Sequence, residues 1–223
     1  ASNYAVMNPL VSTNPGGSFS GSSAVLSNAN LTVTAQGAAA YLATSTFPMP
    51  SSGKWYFEIT AASVGGPYVP HNFGIGPANY SNSNSLSIYL NNYGQPANQN
   101  VIQLPSGSYT NIQTSGLNYT QAANDIISFA YDANTGNTWI GINNSWVGTS
   151  LTSYSGSPSA GTSPTYTFSA NTSLWVWNSP YGSNTQSHMN FGQRPFNYTP
   201  PTGFVALNTA NLPPVTINYG APY

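Results

Sequence analysis

Apolar side chains recur at every second position along this chain, in short runs broken by Gly, Pro, Asn and Ser. Trp55, Phe57 and Ile59 alternate with Lys54, Tyr56, Glu58 and Thr60. Ile127, Phe129 and Tyr131 alternate with Ile126, Ser128 and Ala130, and Trp175 and Trp177 with Leu174 and Val176. A period of two belongs to the β-strand, whose side chains point to opposite faces in turn. Weaker signals of the same kind occupy 31–34, 41–46, 73–75, 86–90, 101–104, 139–142 and 189–191. No stretch carries sustained helical periodicity. Short strands separated by turn residues predict an all-β fold, a sandwich or a barrel, with long polar loops.

The turn residues agree with the strands. Asp132-Ala133-Asn134-Thr135-Gly136 joins two strong runs, and Asn143-Asn144 ends the second of them. Asn and Gly accept the positive φ that short hairpins need. Residues 148–164 are a Ser/Thr/Gly/Pro stretch with little apolar content, expected as a long surface loop. Strand-like runs continue beyond it, so one domain is predicted over 1–223. Its motif-bearing core runs from about 8 to 213, with a tail at 214–223. No internal repeat is visible.

Composition changes the picture chiefly through charge. Only 2% of the 223 residues are charged, against about 25% in ordinary soluble proteins. Lys54 and Arg194 are the bases, and Glu58, Asp125 and Asp132 the acids. Aromatic residues make up 13% of the chain, which argues for a packed core rather than disorder. Two cations cannot neutralise a phosphate backbone, so nucleic acid is not expected as a partner, nor is an anionic membrane surface. No apolar run approaches the ~20 residues of a membrane helix, so membrane insertion is not expected. Ala1-Ser2-Asn3-Tyr4 does not read as a signal peptide, because no basic region is followed by an apolar one. Cysteine is absent, which excludes disulfides and thiolate metal sites. A net charge of −1 leaves little repulsion between copies, a property suited to a subunit of a crowded assembly.

Four blocks in order resemble the SPRY (B30.2-like) family. Gly53-Lys54-Trp55-Tyr56-Phe57-Glu58-Ile59 is similar to its opening core strand, and Phe73-Gly74-Ile75-Gly76 to its next, glycine-bearing strand. Residues 124–132, Gly136 and 139–144 are similar to its central hairpin, and residues 190–196 to its closing strand. Asn143-Asn144 stands where the family commonly has Asn-Gly. The resemblance implies a bent two-sheet antiparallel β-sandwich of concanavalin A-like jelly-roll type, without enzymatic activity, whose end loops bind other molecules, usually proteins. Asn8-Pro9-Leu10, Leu26-Ser27-Asn28 and the run 190–213 further resemble SPRY modules of bacteriophage and environmental viral structural proteins.

Catalytic chemistry finds few candidates. Asp125 and Asp132 sit at opposite ends of one predicted strand, roughly 20 Å apart, too far to act as a glycosidase pair. His71 and His188 are present, but no Gly-x-Ser-x-Gly elbow accompanies them. Asp132-x-Asn134-x-Gly136 opens like a calcium loop yet lacks the closing acid, so a hairpin turn is expected and no metal or other cofactor. All five charges, Lys54, Glu58, Asp125, Asp132 and Arg194, fall in the family-like blocks and are expected to hold turns and cross-strand pairs. Asn30, Asn79, Asn118, Asn143, Asn171 and Asn197 open Asn-x-Ser/Thr sequons, about as many as chance supplies in so Asn- and Ser-rich a chain.

Binding is the remaining function class. Tyr68, Tyr80, Tyr154 and Tyr181 fall in predicted loops, where a phenol ring offers large area and a polar tip. They are the candidate binding residues, with packing at the sandwich ends or between subunits as the alternative. The expected function is a non-enzymatic structural protein on a virion or in the extracellular space, a phage decoration, fibre or tail subunit. Its expected partners are copies of itself in a homo-oligomer, other surface proteins, or a cell-surface glycan or protein. The alternative is a soluble or secreted recognition module.

Overall fold

In the computed structural model, the described residues are 3–10, 24–35, 42–62, 71–79, 84–92, 99–182 and 184–214. Among them are fifteen strands and no helix. The two longest alternating runs, Lys54–Ala61 (β4) and Asp125–Asp132 (β9), pair antiparallel along their whole length, Lys54 opposite Asp132 and Ala61 opposite Asp125. Asn137–Ile142 (β10) returns from β9, and Ser145–Trp146 (β11) returns from β10. On the other side of β4 lie Gln186–Asn190 (β14), Thr32–Thr34 (β2) and Val25–Ser27 (β1). Tyr166–Thr167 (β12) pairs with β10, and Val205–Ala206 (β15) runs parallel to the start of β4, where β14 has already ended. The second sheet has the order Ala43–Thr44 (β3), Trp175–Asn178 (β13), His71–Gly76 (β5), Leu86–Asn92 (β6), Gln99–Gln103 (β7) and Tyr109–Asn111 (β8).

The two sheets close on one apolar core. Phe57, Ile59, Ile127, Phe129 and Ile140 face Phe73, Ile75, Leu86, Ile88 and Val176, all buried. Phe57 and Phe129 stack with centroids 5.1 Å apart. Burial of each such side chain stabilises the fold by about 1.5–3 kcal/mol, which is why the alternating runs become strands. Residues 3–8 close the sandwich from outside: Ala5 N–H donates to Leu207 O, Thr46 N–H to Val6 O, and Tyr4 bridges Asn208.

The alternation predicts one buried and one wet face for β4 and β9. The structure differs, because every residue of β9 is buried. The chain leaves β14 at Asn190 and crosses the outer face of the first sheet before returning as β15. This strap, residues 191–204, lays Phe196 against Tyr56 and Phe204 against Trp139. Tyr56, Ala130, Trp139 and Phe204 thus form a second, smaller core. Residues 148–164 pad its margin, with Trp139 Nε1–H donating to Thr162 O, while Leu151 of the same stretch joins the main core.

Outside the second sheet, Leu42, Tyr89, Val101 and Trp177 form a third buried cluster. Here glycine is required by close approach. A Cβ on Gly74 would lie 2.4 Å from Trp177 Cζ2 and 2.8 Å from Leu86 O. Gly74→Ala therefore forces the indole off the strand. The expected result is a loss of about 1–3 kcal/mol in unfolding free energy, read by thermal unfolding followed through tryptophan fluorescence.

Candidate functional site

The carboxylates are each held by donors from the chain. Glu58 points out of β4 beneath the strap and is fully buried. Its Oε1 accepts from Tyr56 O–H at 2.7 Å and Tyr198 N–H at 2.9 Å. Its Oε2 accepts from Asn197 N–H at 2.8 Å and Asn197 Nδ2 at 2.9 Å. No cation is among these partners, so a lone buried charge is carried by four dipoles. Asp125 Oδ2 accepts from Tyr119 O–H at 2.7 Å and Ala122 N–H at 2.6 Å, and Oδ1 from Asn143 Nδ2 at 2.7 Å. Asp132 accepts Asn134 N–H at 3.1 Å and pairs with Lys54 Nζ at 3.4 Å, the single ion pair among the described residues. The Lys54 ammonium also lies 5.5 Å above the Phe204 ring. The loop that opens like a calcium site is thus a turn that Asp132 closes on itself.

Both histidines rest on hydroxyls: His71 Nδ1 on Ser187 Oγ at 3.1 Å, and His188 Nδ1 on Thr32 Oγ1 at 2.9 Å. The bonds given above for the three carboxylates run to phenol, amide, ammonium and backbone donors. Among the described residues no three His, Cys, Asp or Glu side chains come together as a metal cluster. Arg194 differs from the other charges. It is exposed at the head of the strap, with no carboxylate in ion-pair range among the described residues.

Of the four candidate tyrosines, Tyr68 and Tyr80 lie outside the described residues. Tyr154 and Tyr181 stand at the same end of the sandwich, the end marked by Ala61, Asp125 and Gln186. Tyr154 rides on the 148–156 loop, which packs so closely on the β8–β9 connection that a Cβ on Gly116 would meet Thr152 O at 2.3 Å. Tyr154 is 42% exposed, and burial first, then the charge of Asp125, raise the pKa of its phenol. Tyr181 lies in the β13–β14 connection, where its carbonyl accepts Thr185 Oγ1–H at 2.6 Å.

Sequence reasoning did not single out Tyr119 and named Asn197 only as a sequon, yet both complete the carboxylate cages. The β10–β11 hairpin was more accessible: Asn143 and Asn144 hold φ of 47° and 68°, the left-handed pair of a two-residue turn. Asn143 also accepts Ile126 N–H through Oδ1, so the turn residue doubles as a clamp on β9.

No protein-family model matches the sequence, and neither does any curated protein. Solved structures do resemble it. The SPRY domain of human HERC1 superposes with a TM-score of 0.50 at 11% identity, over 77% of this chain and 94% of that one. At this identity the likeness is one of fold, a SPRY-like antiparallel sandwich.

Two outcomes follow from the buried groups. Glu58→Gln removes the charge and replaces one acceptor oxygen by a donor facing two others. It should cost about 2–4 kcal/mol in urea unfolding and expose the Trp139 cluster to dye. Burial raises the phenols of Tyr56, Tyr89 and Tyr119, and lifts Tyr131 to about 12. An unfolded phenol titrates near 10, so folding favours the protonated form. Stability should be intact below about pH 10 and fall as pH rises toward 12, with these phenols ionising only on unfolding in an ultraviolet titration.

Proposed function

We propose that the chain is a non-enzymatic interaction module that uses the loop-bearing end of its sandwich and an uncharged polar surface to contact a partner. The observation that carries this reading is the state of its carboxylates: all three are engaged with donors of the chain itself, and their oxygens are committed to holding turns and the strap. Residues from Ala5 to Leu207 share one core, which supports a single working unit.

The partner we propose first is another copy of the chain, on a virion surface or in the extracellular space, as in a phage decoration, fibre or tail protein. A nearly neutral surface supports it, since copies meet without repulsion. Tyr154 supports a contact at the loop end, because a large exposed ring on a well-bonded loop is a ready anchor. The native mass, measured by light scattering across a concentration series together with negative-stain imaging, tests the reading. An assembly is expected, with Tyr154→Ala weakening it about tenfold or more, as for a central interface tyrosine. A monomer near 23.4 kDa at every concentration would overturn the assembly and leave the recognition module.

A further inference from the structure

The outer face of the first sheet is divided. The strap covers the part over β9 and β10. Over β1 and β14 the face keeps exposed and half-exposed side chains, Ser27, His188 and Gln186 among them, with Thr60 of β4 half-exposed beside them and Thr32 and Thr34 of β2 buried between. Strand register places them in rows: Ser27, Thr32, His188 and Thr60 stand in line across four strands, and Val25, Thr34 and Gln186 in the row beside it. Neighbours within a row are about 4.8 Å apart.

Arg194 is brought to the edge of this area by the turn that begins the strap. Gln193 Nε2 donates to Met189 O at 3.2 Å, and Asn190 Nδ2 to Pro195 O at 3.1 Å. Arg194 is therefore held beside Asn190, one side-chain step along the same face from His188. The two are coupled electrically: burial first, and then the Arg194 charge, lower the pKa of His188. Thr32 Oγ1 accepts from Asn28 Nδ2 at 3.0 Å and shares a hydrogen bond with His188 Nδ1 at 2.9 Å. The imidazole thus stands next to the chain's one cation that has no carboxylate partner among the described residues.

We propose that Arg194 and His188, with Thr60 and Gln186 beside them, bind a saccharide that carries one carboxylate. The guanidinium supplies a two-pronged partner for the carboxylate. Imidazole N–H, hydroxyl and amide groups at strand spacing supply partners for ring hydroxyls. A single cation matches a single anionic group. A polyanion or an acidic peptide with several carboxylates would call for several. The site lies on a sheet face, so it stands whether or not copies of the chain associate through the loop end.

The test is a titration of the protein with 3′-sialyllactose, lactose and a short glutamate-containing peptide, followed by saturation-transfer NMR and calorimetry. Weak binding of sialyllactose without binding of lactose is expected. Arg194→Gln should weaken it at least tenfold with an unchanged melting curve, Arg194→Lys should restore part of it, and His188→Gln should cost a few fold. Equal binding of lactose, binding of the peptide alone, no binding of any probe, or unchanged affinity in Arg194→Gln would each overturn the proposal.

Discussion

The strap across the outer side of the first sheet depends on Glu58. A carboxylate taken out of water costs several kcal/mol unless its oxygens are bonded again. Here the bonds come from Tyr56 on its own strand and from the backbone and side chain at Asn197 and Tyr198. Because the donors at Asn197 and Tyr198 lie on a segment with no regular secondary structure, satisfying the charge and fixing the path of the strap are one event. That path in turn sets Phe196 on Tyr56 and Phe204 on Trp139, and returns the chain as β15 against Trp55. The sandwich gains a partial third layer, held by one acid and a few rings.

This explains what was legible in the sequence and what was not. Period two exposes β4, β9 and β10 because their core-facing residues are large and regular, and their register follows from the hairpin and the shared core. It does not reveal that Tyr56, Ala130 and Trp139 are covered as well, since the cover is a polar strap with two phenylalanines and no pattern of its own. The short strands β1, β8, β11, β12 and β15 escape for a related reason. Each is two or three residues long, too few to show alternation, and exists because a neighbouring strand offers an edge. The charges group naturally by sequence block, yet proximity in the chain does not distinguish Glu58, sealed under the strap, from Arg194, exposed at its start.

The Asn-rich composition also has a structural basis. Among the described residues, left-handed φ angles away from glycine fall mostly on asparagine: Asn28, Asn30, Asn118, Asn124, Asn143, Asn144, Asn171 and Asn184. Asparagine tolerates this region better than other side chains because its amide can bond locally. The chain thus turns its corners with a residue that adds polarity and no charge. Four of the six sequon asparagines sit at such corners, so their identity is accounted for by backbone geometry.

The clasp between residues 3–5 and 207–209 has a consequence for how the sandwich can be carried. Thr209 N–H donates to Asn3 O at 2.8 Å, and Ala5 N–H to Leu207 O at 3.0 Å, so the two ends of the fold run side by side. A host polypeptide could therefore bear this unit as an insertion in a surface loop, with entry and exit only about one strand spacing, ~5 Å, apart. The same closeness makes a circular permutant feasible, with residues 3 and 209 joined by a short linker and new ends opened in an exposed loop. Strain passing along such a host would bypass the sandwich through the clasp and leave its interior unloaded.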